Sequence, residues 1–270
     1  MKNHNFWIRL ASSVVILGST LAAFYLGSLV LFIFVAFISL VGVFELYRVC
    51  GIWGKPLAAA GFMGACLYLE AVYLNWDAWL LFVLFLAFIL IMGTYVFTFP
   101  KYAFSQAAYS LFGVVYVPVM LSYLYRIRQM PDGFALVWFV FLASWGCDTM
   151  AYCTGILIGK HKMTPELSPK KTWEGSVGGV LGSALLGFLY ALAFREHLKF
   201  LGNPLLYTPL LCAAGSIVSQ IGDLAASAIK RSFGVKDYGR LIPGHGGILD
   251  RFDSVIVTAP IVYYLLLLVK

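Results

Sequence analysis

Charge collects between Ser227 and Asp253, in the run SAIKRSFGVKDYGRLIPGHGGILDRFD. Lys230, Arg231, Lys236, Asp237, Arg240, His245, Asp250, Arg251 and Asp253 stand there among five glycines, Gly234, Gly239, Gly244, Gly246 and Gly247. Carboxylates without a Cys/His cluster suit a hard divalent ion, Mg²⁺ rather than Zn²⁺. Lysines and arginines suit phosphate oxygens, and glycine-rich backbone can form an anion-binding nest of N–H groups. Together they point to metal-assisted transfer at phosphorus. No Walker A loop is present: Gly155 and Gly159 stand too close together before Lys160, and His161 replaces the hydroxyl residue.

Further upstream lie residues that can join this chemistry. Asp223, Ser227 and Lys230 follow i, i+4, i+7 spacing, so one helix face carries all of them. Asp148 lies in an apolar run, roughly 15 Å from the nearest helix end at the usual rise. An ionised carboxylate at that depth needs a partner, a metal or water. Ser144 and Tyr152 are expected to share its face as a polar stripe. The loop 159–173 holds Lys160, Lys162, Lys170 and Lys171 near Ser168 and Thr172, just before a helix start. Lysines and hydroxyls at a helix N-terminus make an anion site. A basic loop that only sets topology or touches anionic lipid is the plainer alternative. Glu166 or Glu174 is expected to pair with those lysines or to hold a metal-bound water.

The elements that position these residues are membrane helices. The chain is 61% hydrophobic and 11% charged, against about 25% charged in soluble domains. Apolar runs of about 20 residues predict an all-α polytopic membrane protein of about nine spans. These fall near 10–26, 28–47, 57–74, 78–98, 105–125, 134–158, 174–194, 205–230 and 249–269, with Pro118 a tolerated kink in the fifth. With the N-terminus inside, only Arg126, Arg128, Arg195, Lys199 and Lys270 face out, leaving 14 of the 19 basic residues inside. Both long polar loops, 159–173 and 231–248, then face the cytoplasm. Residues 1–133 read as scaffold, and Glu45 there as an ordinary helix-end pair with Arg48. Residues 134–270 carry the costly groups and the expected cytoplasm-facing cavity. Gly175, Gly179, Ser183 and Gly187, with Gly178 and Gly182 beside them, form a close-packing ridge for another helix. Cys50, Cys66, Cys147, Cys153 and Cys212 lack metal or redox spacing and read as buried small hydrophobes.

The run from Ser227 to Asp253 resembles the signature of phosphatidate cytidylyltransferases, or CDP-diacylglycerol synthases. Ser227, Lys230, Arg231, Lys236, Asp237, Gly239, Ile242, Pro243, His245, Gly246, Gly247, Asp250, Arg251 and Asp253 meet that pattern without departure. The segments Asp148–Tyr152 and Ser168–Gly179, and the pair Gly222–Asp223, are also similar, so the resemblance spans about residues 134–255. It implies a bacterial-type inner-membrane enzyme that joins CTP and phosphatidic acid into CDP-diacylglycerol and pyrophosphate with Mg²⁺. It implies as well a homodimer with a funnel-shaped cavity and no nucleic-acid partner. A paired cation site falls by motif position on Asp223 and Asp250, with K⁺ as a possible second ion. In that reading Lys230, Arg231 and Lys236 neutralise phosphates, with Lys170 and Lys171 closing from the other loop. Asp253 and Asp148 are ligands or orienters in the second rank, and His245 donates to phosphate. Ser168, Thr172, Ser227, Gly246, Gly247, Arg251 and Asp237 complete the expected site.

Two other readings remain. A CTP-dependent lipid or polyprenol kinase needs much of the same site but releases CDP. A transporter would use Asp148 and Asp223 as pathway acids, yet no related halves are visible. The D-G-x2-A-R run of CDP-alcohol phosphotransferases is absent.

Overall fold

A computed structural model describes residues 2–244 and 246–269, with side chains from Ala11 onward. His245 and Lys270, both assigned places above, lie outside the described residues. Nine helical segments follow one another among those described. They are α1 (Lys2–Leu26), α2 (Ser28–Val49), α3 (Pro56–Tyr73), α4 (Leu80–Phe97), α5 (Phe104–Arg128), α6 (Gly133–Ile158), α7 (Trp173–Ala193), α8 (Pro204–Ser232) and α9 (Leu249–Leu268). Eight of them, α2 to α9, are long and apolar enough to cross a membrane, while the apolar part of α1, Ala11–Leu26, is shorter. The protein is therefore an all-α polytopic membrane protein. Its exposed apolar side chains, such as Leu81, Phe82, Phe85 and Ile89 on α4, suit lipid rather than water.

Two irregularities escape a reading by hydropathy. Pro118 sits within a π-helical turn, Val115–Val119, which absorbs the backbone donor that proline lacks. A second π turn, Leu142–Gly146, precedes Asp148. It shifts the helical phase, and the Ser144 hydroxyl donates back to the Val140 carbonyl at 2.7 Å. Asp148 and Tyr152 line one cavity, while Ser144 is fully buried behind this turn. The loop 159–173 is a small antiparallel hairpin, β1 (Lys162–Thr164) and β2 (Ser168–Thr172), rather than an irregular connection.

Packing groups the chain into two compact units. One compact unit is Met1–Tyr125 with Phe233–Arg251, and the other is Arg126–Ser232 with Phe252–Lys270. In the first unit the Tyr47 hydroxyl donates to the Ser110 carbonyl at 2.6 Å. Ser110 Oγ in turn donates to the Leu57 carbonyl at 2.6 Å. Gly61 and Gly113 make room for the Tyr47 ring, where a Cβ would collide with it. A satisfied polar chain of this kind locks α2, α3 and α5 in one register.

In the second unit the small-residue ridge of α7 packs inside the chain. Gly175, Gly178, Gly179 and Gly182 lie against α6, and Gly187 against Thr208 and Cys212 of α8. Ser183 Oγ donates to the Leu142 carbonyl at 3.0 Å and the Cys212 carbonyl at 3.2 Å. All five cysteines are free thiols. Cys147 and Cys212 are buried as expected, whereas Cys66 and Cys153 are exposed. A Cβ on Gly179 would meet Cys147 Sγ at 2.9 Å and the Cys147 carbonyl at 3.1 Å. Gly179→Val is therefore expected to cost about 1–3 kcal/mol by overpacking, read as a lower midpoint of thermal unfolding in detergent.

Candidate functional site

The second unit gathers acids and lysines around one cavity of about 470 Å³. Asp148 from α6, Lys170, Lys171 and Thr172 from β2, and Asp223 from α8 line it together. Tyr152, Ile156 and Met163 give it an apolar side. The sequence brings β2 here through its own cap. Thr172 Oγ1 accepts the Gly175 N–H at 3.1 Å and starts α7, so the lysines before it are held at the helix N-terminus. Lys171 Nζ forms an ion pair with Asp223 Oδ2. Glu174 is not bound to the lysine side chains; it accepts the backbone N–H groups of Lys160 at 3.1 Å and His161 at 3.2 Å. It also meets His161 Nδ1 at 2.5 Å. This clasp closes the hairpin at its base.

In the last turn of α8, Lys230 places its Nζ 4.0 Å from Asp253 Oδ2 near the start of α9. Asp253 is only 8% exposed, and its Oδ1 accepts the Ser254 N–H at 2.8 Å. Asp223 and Asp148 both act electrostatically on Asp253, so three carboxylates and two lysines form one connected charge group. A buried acid of this kind is costly unless cations or hydrogen-bond donors stand close by. Gln220, which sequence reasoning missed, supports the cavity wall. Its Oε1 accepts from Ser176 Oγ at 2.5 Å and its Nε2 donates to the Ser176 carbonyl at 3.2 Å. A lone Gln in an apolar helix, three residues before Asp223, was the available signal. Ser227 is half-buried on α8, and Arg231 is exposed at its end.

In the first unit the stretch after α8 forms two shallow basic pockets. Arg48, Lys236, Asp237 and Arg240 line one of about 550 Å³. Lys236, Asp237, Arg240, Gly246 and Arg251 line another of about 580 Å³. Gly244 and Gly246 have φ of 76° and 90°, the left-handed region that glycine enters without strain. Backbone N–H groups of this stretch are taken by the protein's own carboxylates. Asp250 Oδ2 accepts the N–H groups of Tyr238 at 2.8 Å, Gly239 at 3.4 Å and Gly247 at 2.9 Å. Glu45 of α2 accepts those of Ile248 at 3.1 Å and Leu249 at 2.8 Å. Asp250 and Asp253 thus do different work, although they are three residues apart in the first turn of α9.

The donors available for a metal are hard oxygens, as Mg²⁺ prefers. Among the described residues no group of three His, Cys, Asp or Glu side chains closes on a single point.

An integral membrane protein with acids and lysines around a cavity, and a basic glycine loop beside two buried carboxylates, belongs to the class that handles phosphorylated substrates at a bilayer. The family can be given more narrowly. Residues 7–269 match the model of the cytidylyltransferase family, and the chain belongs to that family. It is 36% identical over 267 residues to a phosphatidate cytidylyltransferase of Staphylococcus epidermidis, covering 96% of this chain and 98% of the relative. It is 42% identical over 184 residues to the phosphatidate cytidylyltransferase of Staphylococcus haemolyticus, covering 67% of each. A Staphylococcus aureus protein of the same name is 41% identical over 169 residues, or 62% of each chain.

Lys171 is a partner of Asp223, whereas Lys170 is exposed. Lys171→Met is therefore expected to lower the thermal unfolding midpoint more than Lys170→Met does. Equal midpoints for the two variants would show that the ion pair contributes nothing to the fold.

Proposed function

We propose that this chain transfers CMP from CTP to phosphatidic acid, giving CDP-diacylglycerol and pyrophosphate. The observation that carries the reading is the cavity of the second unit, where Asp148, Lys171 and Asp223 share walls with exposed apolar side chains. A phospholipid phosphate needs such cationic contacts close to lipid, and the acids suit the metal that CTP brings. The full-length relative bearing the same activity in its name supports it.

An oxygen of the phosphatidate phosphate attacks the α-phosphorus of CTP in line, forming the P–O–P bond as the bond to pyrophosphate breaks. That phosphate is already ionised near neutral pH, so a general base has little to do. Lys171, which pairs with Asp223, and Lys230, which stands beside Asp253, are the lysines we assign to incoming phosphate oxygens. Lys170, Lys236 and Arg231 add positive charge, and Asp148 and Asp253 orient the lysines. Asp223 and Asp250 are the residues we assign to hold Mg²⁺, with one Asp250 oxygen already fixed by loop amides. The ion would supply charge neutralisation at the α-phosphorus and leaving group. A second cation such as K⁺ and a homodimer are part of the same proposal. So are His245 as a phosphate donor, an inner-membrane location and a cytoplasm-facing site. The basic bias of the inner loops supports that orientation.

Purified protein in detergent, given phosphatidate, CTP and Mg²⁺, is expected to release pyrophosphate, and omission of any one component is expected to stop it. Asp250→Asn and Asp223→Asn are expected to lose product formation by about 100-fold or more, the scale for removing one preorganised electrostatic contact. Both should still insert in the membrane and elute as the wild type does. Turnover near wild type in either variant would contradict the metal assignment.

A further inference from the structure

Glu45 is an acid near the end of α2, in a helix of 22 otherwise mostly apolar residues, and only 2% of its surface is exposed. A carboxylate buried so far is expensive unless donors surround it. Its donors are the backbone N–H groups of Ile248 and Leu249, at 3.1 and 2.8 Å. These belong to the first turn of α9, whose amides have no partner inside the helix. A neutral cap satisfies one such amide, whereas a carboxylate satisfies two and also meets the positive end of the helix dipole.

The neighbouring backbone is shaped around this one side chain. A Cβ on Gly239 or on Gly247 would land on the Glu45 carboxylate. Gly247 does not lie in the left-handed region, so conformational freedom is no reason for a glycine there. Space is the reason. One turn further along α2, Arg48 Nη2 donates to the Tyr238 carbonyl at 2.9 Å. The last turn of α2 therefore grips both ends of the segment 238–249, and Asp250 takes three amides of that same segment through Oδ2.

We propose that Glu45 is a positioning residue for the transfer reaction: from α2 it fixes the backbone around Gly239, Gly247 and Leu249 and thereby sets where Asp250 presents its carboxylate. Glu45 touches no substrate in this account and acts through Asp250. The proposal rests on the cytidylyltransferase reading above, since the rate of that reaction is its main readout.

The test uses the full chain in detergent micelles, with the rate of CDP-diacylglycerol formation and the number of CTP sites per chain measured by equilibrium binding on the same preparations. Glu45→Gln is expected to lower kcat about 10- to 100-fold, as a small misplacement of a reacting geometry does. The KM for phosphatidate and the number of CTP sites should stay at wild-type values, and Glu45→Asp, which keeps both acceptor oxygens, should recover part of the rate. An unchanged kcat in Glu45→Gln would overturn the proposal. A parallel loss of rate and CTP sites would overturn it too, because Glu45 would then merely support folding. Should Glu45→Gln fail to insert or aggregate, Gly247→Ala decides. It keeps the charge but displaces the carboxylate, so a fall in kcat with CTP sites retained supports positioning. A wild-type rate in Gly247→Ala, or a loss of rate and sites together, rules it out. Failure of the wild-type chain to make CDP-diacylglycerol is a separate result, which removes the underlying reading rather than the role of Glu45.

Discussion

A carboxylate beside a bilayer has to be matched by donors, and this chain matches its buried acids in two ways. In the unit that contains α2 and the start of α9, backbone amides do it: five N–H groups converge on Glu45 and Asp250. In the other unit, side-chain ammonium groups do it, Lys171 for Asp223 and Lys230 for Asp253. The difference has chemical consequences. Backbone donors cannot swing away, so they fix an acid in place. Lysines can exchange one anion for another, so a phosphate arriving in the cavity competes for cations that the resting protein keeps on its own acids. Much of the remaining structure follows from these matches. Gly239 and Gly247 lack side chains because Glu45 occupies their space. The hairpin β1–β2 exists to bring Lys171 to Asp223, and Thr172 and Glu174 hold it at the head of α7.

Eight spans were legible because a bilayer demands about 20 apolar residues per span, whereas the apolar part of the helix expected near 10–26 is shorter, Ala11–Leu26. Spans expected near 28–47 and 249–269 are found at Ser28–Val49 and Leu249–Leu268. The α7 ridge was legible for a similar reason, since small residues four apart leave a groove that another helix fills. What hydropathy cannot show is a phase change inside a helix. The π turn at Leu142–Gly146 leaves the apolar content of α6 unaltered.

Long-range pairing was the harder part of the site. Lys171 and Asp223 are distant in sequence and carry no mark of their partnership. Glu45 looked like the mate of Arg48 at a helix end because i, i+3 spacing is a sufficient local explanation. In the structure both residues also bind backbone atoms of the segment 238–249, some 200 residues away. A charge within an apolar helix was the visible hint, and local pairing rules hid it. The glycines of the loop were read as phosphate contacts for the same reason. In the folded chain the Gly247 amide is taken by Asp250.

The family favours a cytidylyltransferase over a CTP-dependent lipid kinase, and the two differ in the bond that breaks. A cytidylyltransferase attaches the α-phosphorus of CTP to the lipid, whereas a kinase attaches the γ-phosphorus. Incubating the purified protein with phosphatidate, Mg²⁺ and CTP labelled at either phosphate separates them directly. The α-label is expected in the solvent-extracted lipid and the γ-label in aqueous pyrophosphate. Appearance of the γ-label in the lipid, with CDP left in water, would contradict nucleotidyl transfer.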